Sequence, residues 1–317
     1  MAFFTKLSNA EAAAFLTEYD IGALVECDGI TAGSENSNYR LRTTSGLYIL
    51  TLYEKRVRAE DLPFFLALMQ HLDAAGIRCP KPIQGRGGNA LRTLAKKRAA
   101  IFSFLEGHAV NVPETWHCRA LGTALAEMHK ACASFPGRRA NDLSLMGWQR
   151  DFAKCRERAD TVQPGLRDII ERELEHLAQH WPKGLPDGVI HADLFPDNVF
   201  FVGDGVSGLI DFYFACNDFL AYDIAVCLNA WCFDDDRTFN FTKGERLLAA
   251  YGQVRPLGAD ERSHLPVLLR GAAMRFLITR LYDKLHPKGT TPKDPLAYLR
   301  RLVFHQSVKS SRLYGLA

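Results

Sequence analysis

The pattern of apolar and polar positions changes character near residue 106. Before it, the pattern predicts a short helix and then mostly strands. Ser8-Asn9-Ala10-Glu11 has the form of a capping box, and Phe15, Leu16 and Tyr19 share one face of the helix it opens. Residues 23–27, 39–43 and 47–53 are strand-like, and the last two, joined at Ser45-Gly46, alternate as half-buried antiparallel strands do. Residues 61–74 predict a helix with Pro63 in its first turn, where no N–H is needed, and Gly76 to end it. Cys79-Pro80-Lys81-Pro82 must run extended. The turn at residues 85–89 is expected to separate two further strands, the second over residues 99–104. After residue 107 the period becomes helical. Leu121, Leu125, Met128 and Cys132 mark a long helix over residues 113–134. Helical spacing recurs over residues 166–180, 219–232, 243–251, 260–283 and 295–313. Residues 188–212 interrupt it with two apolar runs around Gly203-Asp204-Gly205, a hairpin signal. The expected organisation is a small α+β lobe over residues 1–106 and a larger helical lobe over residues 107–317 with one embedded hairpin.

Composition narrows the class. The 317 residues are 47% hydrophobic and 24% charged, which rules out wholesale disorder. A net charge of +3 gives no general attraction to nucleic acid or to an anionic membrane. No apolar run is long enough to span a bilayer, and the N-terminus lacks the basic region of a signal peptide. The eight cysteines form no C-x-x-C pair, so they are expected to be reduced and buried in a cytoplasmic protein.

The chemistry concentrates at His191-Ala192-Asp193, with Asn198 five residues after Asp193 and Asp211 thirteen after Asn198. A strand–loop–strand hairpin would gather these at one end of the lobe. Phosphoryl transfer needs such a set: one carboxylate to orient the attacking hydroxyl and take its proton, and an Asn oxygen and a second carboxylate to hold Mg²⁺ against the phosphates of ATP. The spacing matches the H-R-D-x-x-x-x-N pattern of kinases, with Ala192 in place of Arg. A metal hydrolase using His191, Asp193, Asp197 and Asp211 would explain the acids but leaves the small lobe without a role.

These motifs, followed by Tyr222-Asp223-Ile224-Ala225 and preceded by the helix at residues 121–129, resemble the aminoglycoside-phosphotransferase-like kinases. Gly33-Ser34-Glu35-Asn36-Ser37-Asn38-Tyr39, Tyr48-Ile49-Leu50-Thr51-Leu52-Tyr53-Glu54 and Leu62-Pro63-Phe64-Phe65 are similar to the bacterial homoserine kinase branch of that superfamily. The resemblance implies a protein-kinase-like bilobal α+β fold and an ATP- and Mg²⁺-dependent kinase of L-homoserine. Choline, ethanolamine, a thiosugar or an aminoglycoside are alternative acceptors, and a catalytically silent binding module is a third reading. Asp193 would be the base and Asn198 and Asp211 the metal ligands. His191 would be a buried scaffold residue. Asp223 would either hold the catalytic loop or be a plain helix-start acid.

The implied nucleotide site departs from the kinase pattern. The loop over residues 29–38 lacks G-x-G-x-x-G, although Gly33, Ser34, Asn36, Ser37 and Asn38 suit phosphate oxygens. Thr51 stands where kinases carry a strand lysine. Lys55 is the first substitute, with Arg56, Lys97 and Arg98 as others and Glu60 as a possible partner. Adenine would lie along residues 101–107, against backbone near Ser103 and Leu105. Asp211-Phe212-Tyr213 lacks the final Gly of a swinging activation segment. An amino-acid substrate needs an acid for its ammonium and a cation for its carboxylate. Acids occur at Asp218 and at residues 234–236, and arginines at Arg270, Arg275 and Arg280. Arg275 and Asp234 are expected to bind substrate, with Tyr213 or Trp231 closing the pocket.

Overall fold

The computed structural model describes residues 5–31, 36–54, 57–287, 291–308 and 310–315. The capping box forms as its residues dictate: Ser8 Oγ accepts the Glu11 N–H at 3.2 Å and Glu11 Oε2 accepts the Ser8 N–H at 2.9 Å. It starts α1 (Asn9–Leu16), which covers one face of an antiparallel sheet. The sheet is built from β1 (Leu24–Ile30), β2 (Ser37–Thr43), β3 (Gly46–Leu52), β4 (Arg92–Leu94) and β5 (Lys97–Ser103), in the order β1-β2-β3-β5-β4. α2 (Leu62–Ala74) lies against the other face. The alternation of β3 and β5 separates two layers of apolar side chains. Leu50, Leu52, Ala99 and Ile101 pack with Phe15 and Leu16 of α1. Ile49, Tyr53, Ala100 and Phe102 join the main core shared with the helices. That second face borders the cleft.

One strand pairing differs from expectation. The hairpin partner of β5 is β4, and the turn between them is Ala95-Lys96 rather than residues 85–89. Both turn residues have positive φ, 50° and 61°. This is the left-handed geometry a two-residue hairpin demands, and neither Ala nor Lys announces it. Pro82, expected to run extended, makes an isolated bridge to Phe102.

The remaining chain is mainly helical: α3 (Thr115–Cys132), α4 (Leu145–Ala153), α5 (Leu166–His180), α6 (Leu220–Trp231), α7 (Phe241–Val254), α8 (Ala259–Leu285) and α9 (Leu296–Ser307). α4 was not expected from the sequence. α3 and α7 pack at backbone distance because of Gly122, where a Cβ would lie 2.2 Å from the Leu247 carbonyl oxygen. α6 is buried on nearly every side, and α8 runs beside it through the core. Two small ribbons interrupt the helices. β7 (Val199–Val202) and β8 (Gly205–Leu209) turn at Gly203-Asp204 as expected. β6 (Asp187–Ile190) instead pairs with β9 (Cys216–Phe219), a contact that local pattern does not reveal. Among the described residues no helix is long and apolar enough to cross a membrane.

The C-terminal segment is tied to α6 by a buried histidine. His305 is fully enclosed, with Nδ1 2.8 Å from the Tyr314 hydroxyl and Nε2 3.1 Å from Asn229 Oδ1. Burial first, then the nearby Arg301 and Arg270 charges, push its pKa down to about 3. A histidine held neutral in the fold takes up its proton on unfolding, so its contribution is intact above its ordinary pKa and lost as pH falls toward 3. Between roughly pH 6 and 4 this one group is expected to lower stability by about 1.4 kcal/mol per pH unit. Urea unfolding across that range, compared with His305→Gln, checks this. An equal slope in both proteins would contradict it.

Candidate active site

The catalytic loop joins β6 to β7 and hangs from a single buried carboxylate. Asp223, in the first turn of α6, is fully enclosed. Its Oδ2 accepts the His191 N–H at 2.7 Å and its Oδ1 the Ala192 N–H at 2.8 Å. His129 of α3 places Nε2 3.2 Å from Oδ2, while His129 Nδ1 lies 2.8 Å from the Tyr251 hydroxyl. Arg255 donates to that hydroxyl at 3.2 Å and to Glu261 at 2.9 Å. Burial alone would raise the Asp223 carboxyl, but the hydrogen bond and charge of His129 and the N–H donors hold it below its ordinary value. The acid therefore anchors the loop.

His191 is the loop's second fixed point. Its Nε2 lies 2.9 Å from the Ile210 carbonyl, and its Nδ1 accepts the Asp193 N–H at 3.3 Å. These partners select the neutral tautomer with the proton on Nε2, and burial depresses its pKa in the same sense. Ala192 takes a left-handed conformation, φ 63°, which costs a residue with a Cβ about 1–2 kcal/mol. Its N–H is held by Asp223, and its carbonyl accepts the buried guanidinium of Arg275. Trp231 Nε1 donates to the carbonyl of Leu194, on the far side of Asp193, at 2.8 Å. The loop is thus clamped on both sides of Asp193.

Asn198 and Asp211 are brought to the same end of the hairpin. Asn198 gives its amide nitrogen to the Asp193 carbonyl at 2.7 Å and approaches Asp193 Oδ2 at 3.4 Å, which leaves its side-chain oxygen for another partner. The Asn198 carbonyl accepts the Ile210 N–H at 3.0 Å and so holds Asp211 beside it. Asp211 has φ 66°. Three oxygen-bearing side chains at expected spacing are therefore carried by the backbone that enters and leaves the β7–β8 ribbon. Their hard oxygen donors suit a magnesium ion that takes its remaining ligands from phosphate and water. Among the described residues no cluster of three His, Cys, Asp or Glu forms a metal cage. This donor set differs from that of a hydrolase built on His191, whose two ring nitrogens are both engaged.

The small lobe requires several corrections. Strand parity puts Ser37 and Lys97 on the α1 face, away from the cleft. Ser37 is fully buried and donates to Glu54 at 2.6 Å, and Lys97 pairs with the same carboxylate. Asn36 accepts the Glu54 N–H at 3.3 Å. Ser37 and Lys97 are thus committed to the Glu54 carboxylate, and the Asn36 side-chain oxygen to the Glu54 backbone. Asn38 is on the cleft face, where it accepts the Thr51 hydroxyl at 2.8 Å. Arg98 shares that face by alternation and is exposed. Gly33, Ser34, Lys55 and Arg56 lie outside the described residues. Among the described residues Glu60 pairs with Arg58 at the surface, 3.7 Å away. α2 offers no acid toward Thr51, and aromatic residues fill the junction. The Tyr213 hydroxyl lies 3.1 Å from that of Tyr53, and its ring meets Phe65 edge-on at 5.6 Å. At the hinge, the Ser103 N–H is committed to the Lys81 carbonyl at 2.9 Å. Leu105 lies beyond the end of β5, so the sheet does not use its backbone.

The expected substrate residues also move. Tyr213 is a strut between sheet and hairpin, not a pocket wall. Trp231 and Arg275 are buried supports of the catalytic loop, turned inward because α6 and α8 are packed on several sides. Asp234 is neutralised by Lys243 at 2.6 Å and held by Asn240 at 2.8 Å. Asp218 is engaged by Asn141 at 2.6 Å.

The comparisons with known proteins agree with this geometry. Residues 26–257 match the family model described as the phosphotransferase enzyme family. A homoserine kinase of Afipia carboxidovorans is 57% identical over 323 residues, covering 100% of this chain and 98% of its own. That of Rhizobium meliloti is 55% identical over 319 residues, with 100% and 98% coverage. Among solved structures, an amicoumacin kinase in complex with AMP-PNP and Ca2+ superposes with a TM-score of 0.69, covering 96% of this chain and 93% of its own. Its 16% identity speaks to the fold alone. Asp193, Asn198, Asp211 and Asp223 all lie inside the matched span, and the chain belongs to the phosphotransferase enzyme family.

Proposed function

We infer that this chain transfers the terminal phosphoryl group of ATP to the side-chain hydroxyl of L-homoserine. The observation that carries the reading is identity of 55–57% with curated homoserine kinases along the whole chain. The clamped loop around Asp193 supports it. In this reading Asp193 accepts a hydrogen bond from the substrate hydroxyl and directs its oxygen at the γ-phosphorus. As the new oxygen–phosphorus bond forms, the bond to the bridging oxygen of ADP breaks and the hydroxyl proton passes to the Asp193 carboxylate. Asn198 and Asp211 would hold Mg²⁺, which when bound neutralises charge on the phosphate oxygens. The rigid supports, Asp223, His191, Arg275 and Trp231, keep the carboxylate in register so that little reorganisation accompanies the reaction. The Leu105 backbone is left to meet the adenine edge. Asn38 and Thr51 line the roof where kinases place a lysine, and Arg98 on the same face is the described cation nearest that role.

The test is ADP release in a coupled assay with purified protein, ATP and Mg²⁺, run with homoserine, serine, choline and kanamycin. Turnover is expected with homoserine well above the other three. Turnover confined to choline or kanamycin would overturn the assignment.

A further inference from the structure

The end of α8 and the start of α9 meet beside the catalytic loop. Phe195, two residues after Asp193, packs edge-on against Phe276 of α8 with ring centroids 4.9 Å apart, and Phe276 lies 5.0 Å from Tyr298 of α9. Arg280, one helical turn after Phe276, sets its guanidinium 4.5 Å from the centre of the Tyr298 ring. Arg301 approaches the same ring at 4.6 Å. The phenol is fully buried, yet its hydroxyl has no hydrogen-bond partner. Buried hydroxyls are nearly always paired; among the described residues those of Tyr19, Tyr222 and Tyr298 are not, and that of Tyr298 is the one whose ring also carries the Arg280 guanidinium.

The local charge points the same way. Asp236 pairs with Arg300 at 2.7 Å and Arg301 at 3.3 Å, and Asp294 pairs with Arg300 at 3.4 Å. Arg300 and Arg301 thus take up both carboxylates, and among the described residues no ion pair joins either acid to Arg280. Arg280 makes one hydrogen bond among the described residues, to the Asp294 carbonyl at 3.2 Å. Burial lowers its pKa although Asp236 and Asp294 act on it in the opposite sense, so the cation is removed from water with acids near it but none paired to it. Burial raises the Tyr298 phenol, and the Asp193 carboxylate adds to that shift, so the reacting end of the site is within electrostatic reach.

We propose that Arg280 and Tyr298 form the subsite for the α-carboxylate of the amino-acid substrate, the guanidinium donating a fork of two N–H bonds and the phenol a third. The proposal rests on the reading of L-homoserine as substrate and deepens it. A substrate with its hydroxyl at Asp193 extends along Phe195 and Phe276, and its carboxylate meets the guanidinium that forms no ion pair among the described residues. An amino alcohol lacking that carboxylate leaves Arg280 and the phenol unpaired, which is how such a site rejects it.

The test measures kcat/KM for L-homoserine and for 3-aminopropan-1-ol, its counterpart without the carboxylate. In Arg280→Ala the ratio of the two is expected to fall about 30-fold or more. Tyr298→Phe, which removes only the hydroxyl, should lower the ratio several-fold, mostly through KM for homoserine. Arg280→Lys keeps charge without the fork and should fall between wild type and Arg280→Ala; it also serves if the alanine variant does not fold. An unchanged ratio in Arg280→Lys and Tyr298→Phe, or equal losses on both substrates, would overturn the proposal. Failure of the wild-type enzyme to phosphorylate homoserine would instead overturn the substrate reading, so the two outcomes are distinct.

Discussion

Asp193→Asn is expected to lower kcat by roughly 10²–10⁴-fold, the span that a positioned general base contributes. The substitution keeps the side chain's size and one oxygen, but removes the charge that draws the hydroxyl proton. The loop should survive it. Its fixed points are the Asp223 bonds to the His191 and Ala192 N–H groups, the Arg275 bond to the Ala192 carbonyl and the Trp231 bond to the Leu194 carbonyl. None of them uses the Asp193 side chain. Nucleotide binding, followed by fluorescence or calorimetry, should therefore persist while turnover collapses. Turnover within a few-fold of wild type would remove Asp193 from the role of base.

The second large effect falls on a residue that touches no substrate. Asp223→Ala leaves two backbone N–H groups and the His129 imidazole without their acceptor, in a site closed to water. Removing one partner of such a buried charged network costs about 3–5 kcal/mol. Unfolding midpoints in urea would read the loss. Because the fold depresses its pKa, Asp223 stabilises the native state above the ordinary carboxylate pKa, and that contribution fades as pH falls through the lower folded value. The stability gap between wild type and Asp223→Ala should therefore narrow in strong acid. A loss below about 1 kcal/mol, which is what a solvent-exposed pair contributes, would show that Asp223 does not anchor the loop.

How far the sequence could be read depended on whether each signal was local. α5 was legible to its end residues because its amphipathic stripe is uninterrupted. The hairpin at Gly203-Asp204 was legible because glycine marks it. The β4–β5 turn was not, since Ala95 and Lys96 adopt left-handed conformations that their side chains do not advertise. The pairing of β6 with β9 joins residues about thirty positions apart and leaves no local trace.

The same distinction runs through the candidate site. Asp193, Asn198 and Asp211 were found by spacing, because one hairpin carries all three. The supports were harder to assign. Arg275 and Trp231 suggested a substrate pocket by composition, whereas helix packing turns both inward to backbone carbonyls. Ser37 and Lys97 looked like phosphate contacts until strand parity put them on the α1 face with Glu54. Tyr298 carried no motif at all. Its relation to Arg280 arises from the meeting of two helices, and the unpaired hydroxyl together with the guanidinium over its ring distinguishes it.

The most direct test of the account is the identity of the product. Wild-type protein incubated with ATP, Mg²⁺ and L-homoserine should yield one phosphomonoester on the side-chain oxygen, seen by phosphorus NMR and mass spectrometry, and Asp193→Asn should yield almost none under the same conditions. Phosphate released to water, phosphate on a different acceptor atom, or equal product from both proteins would contradict it.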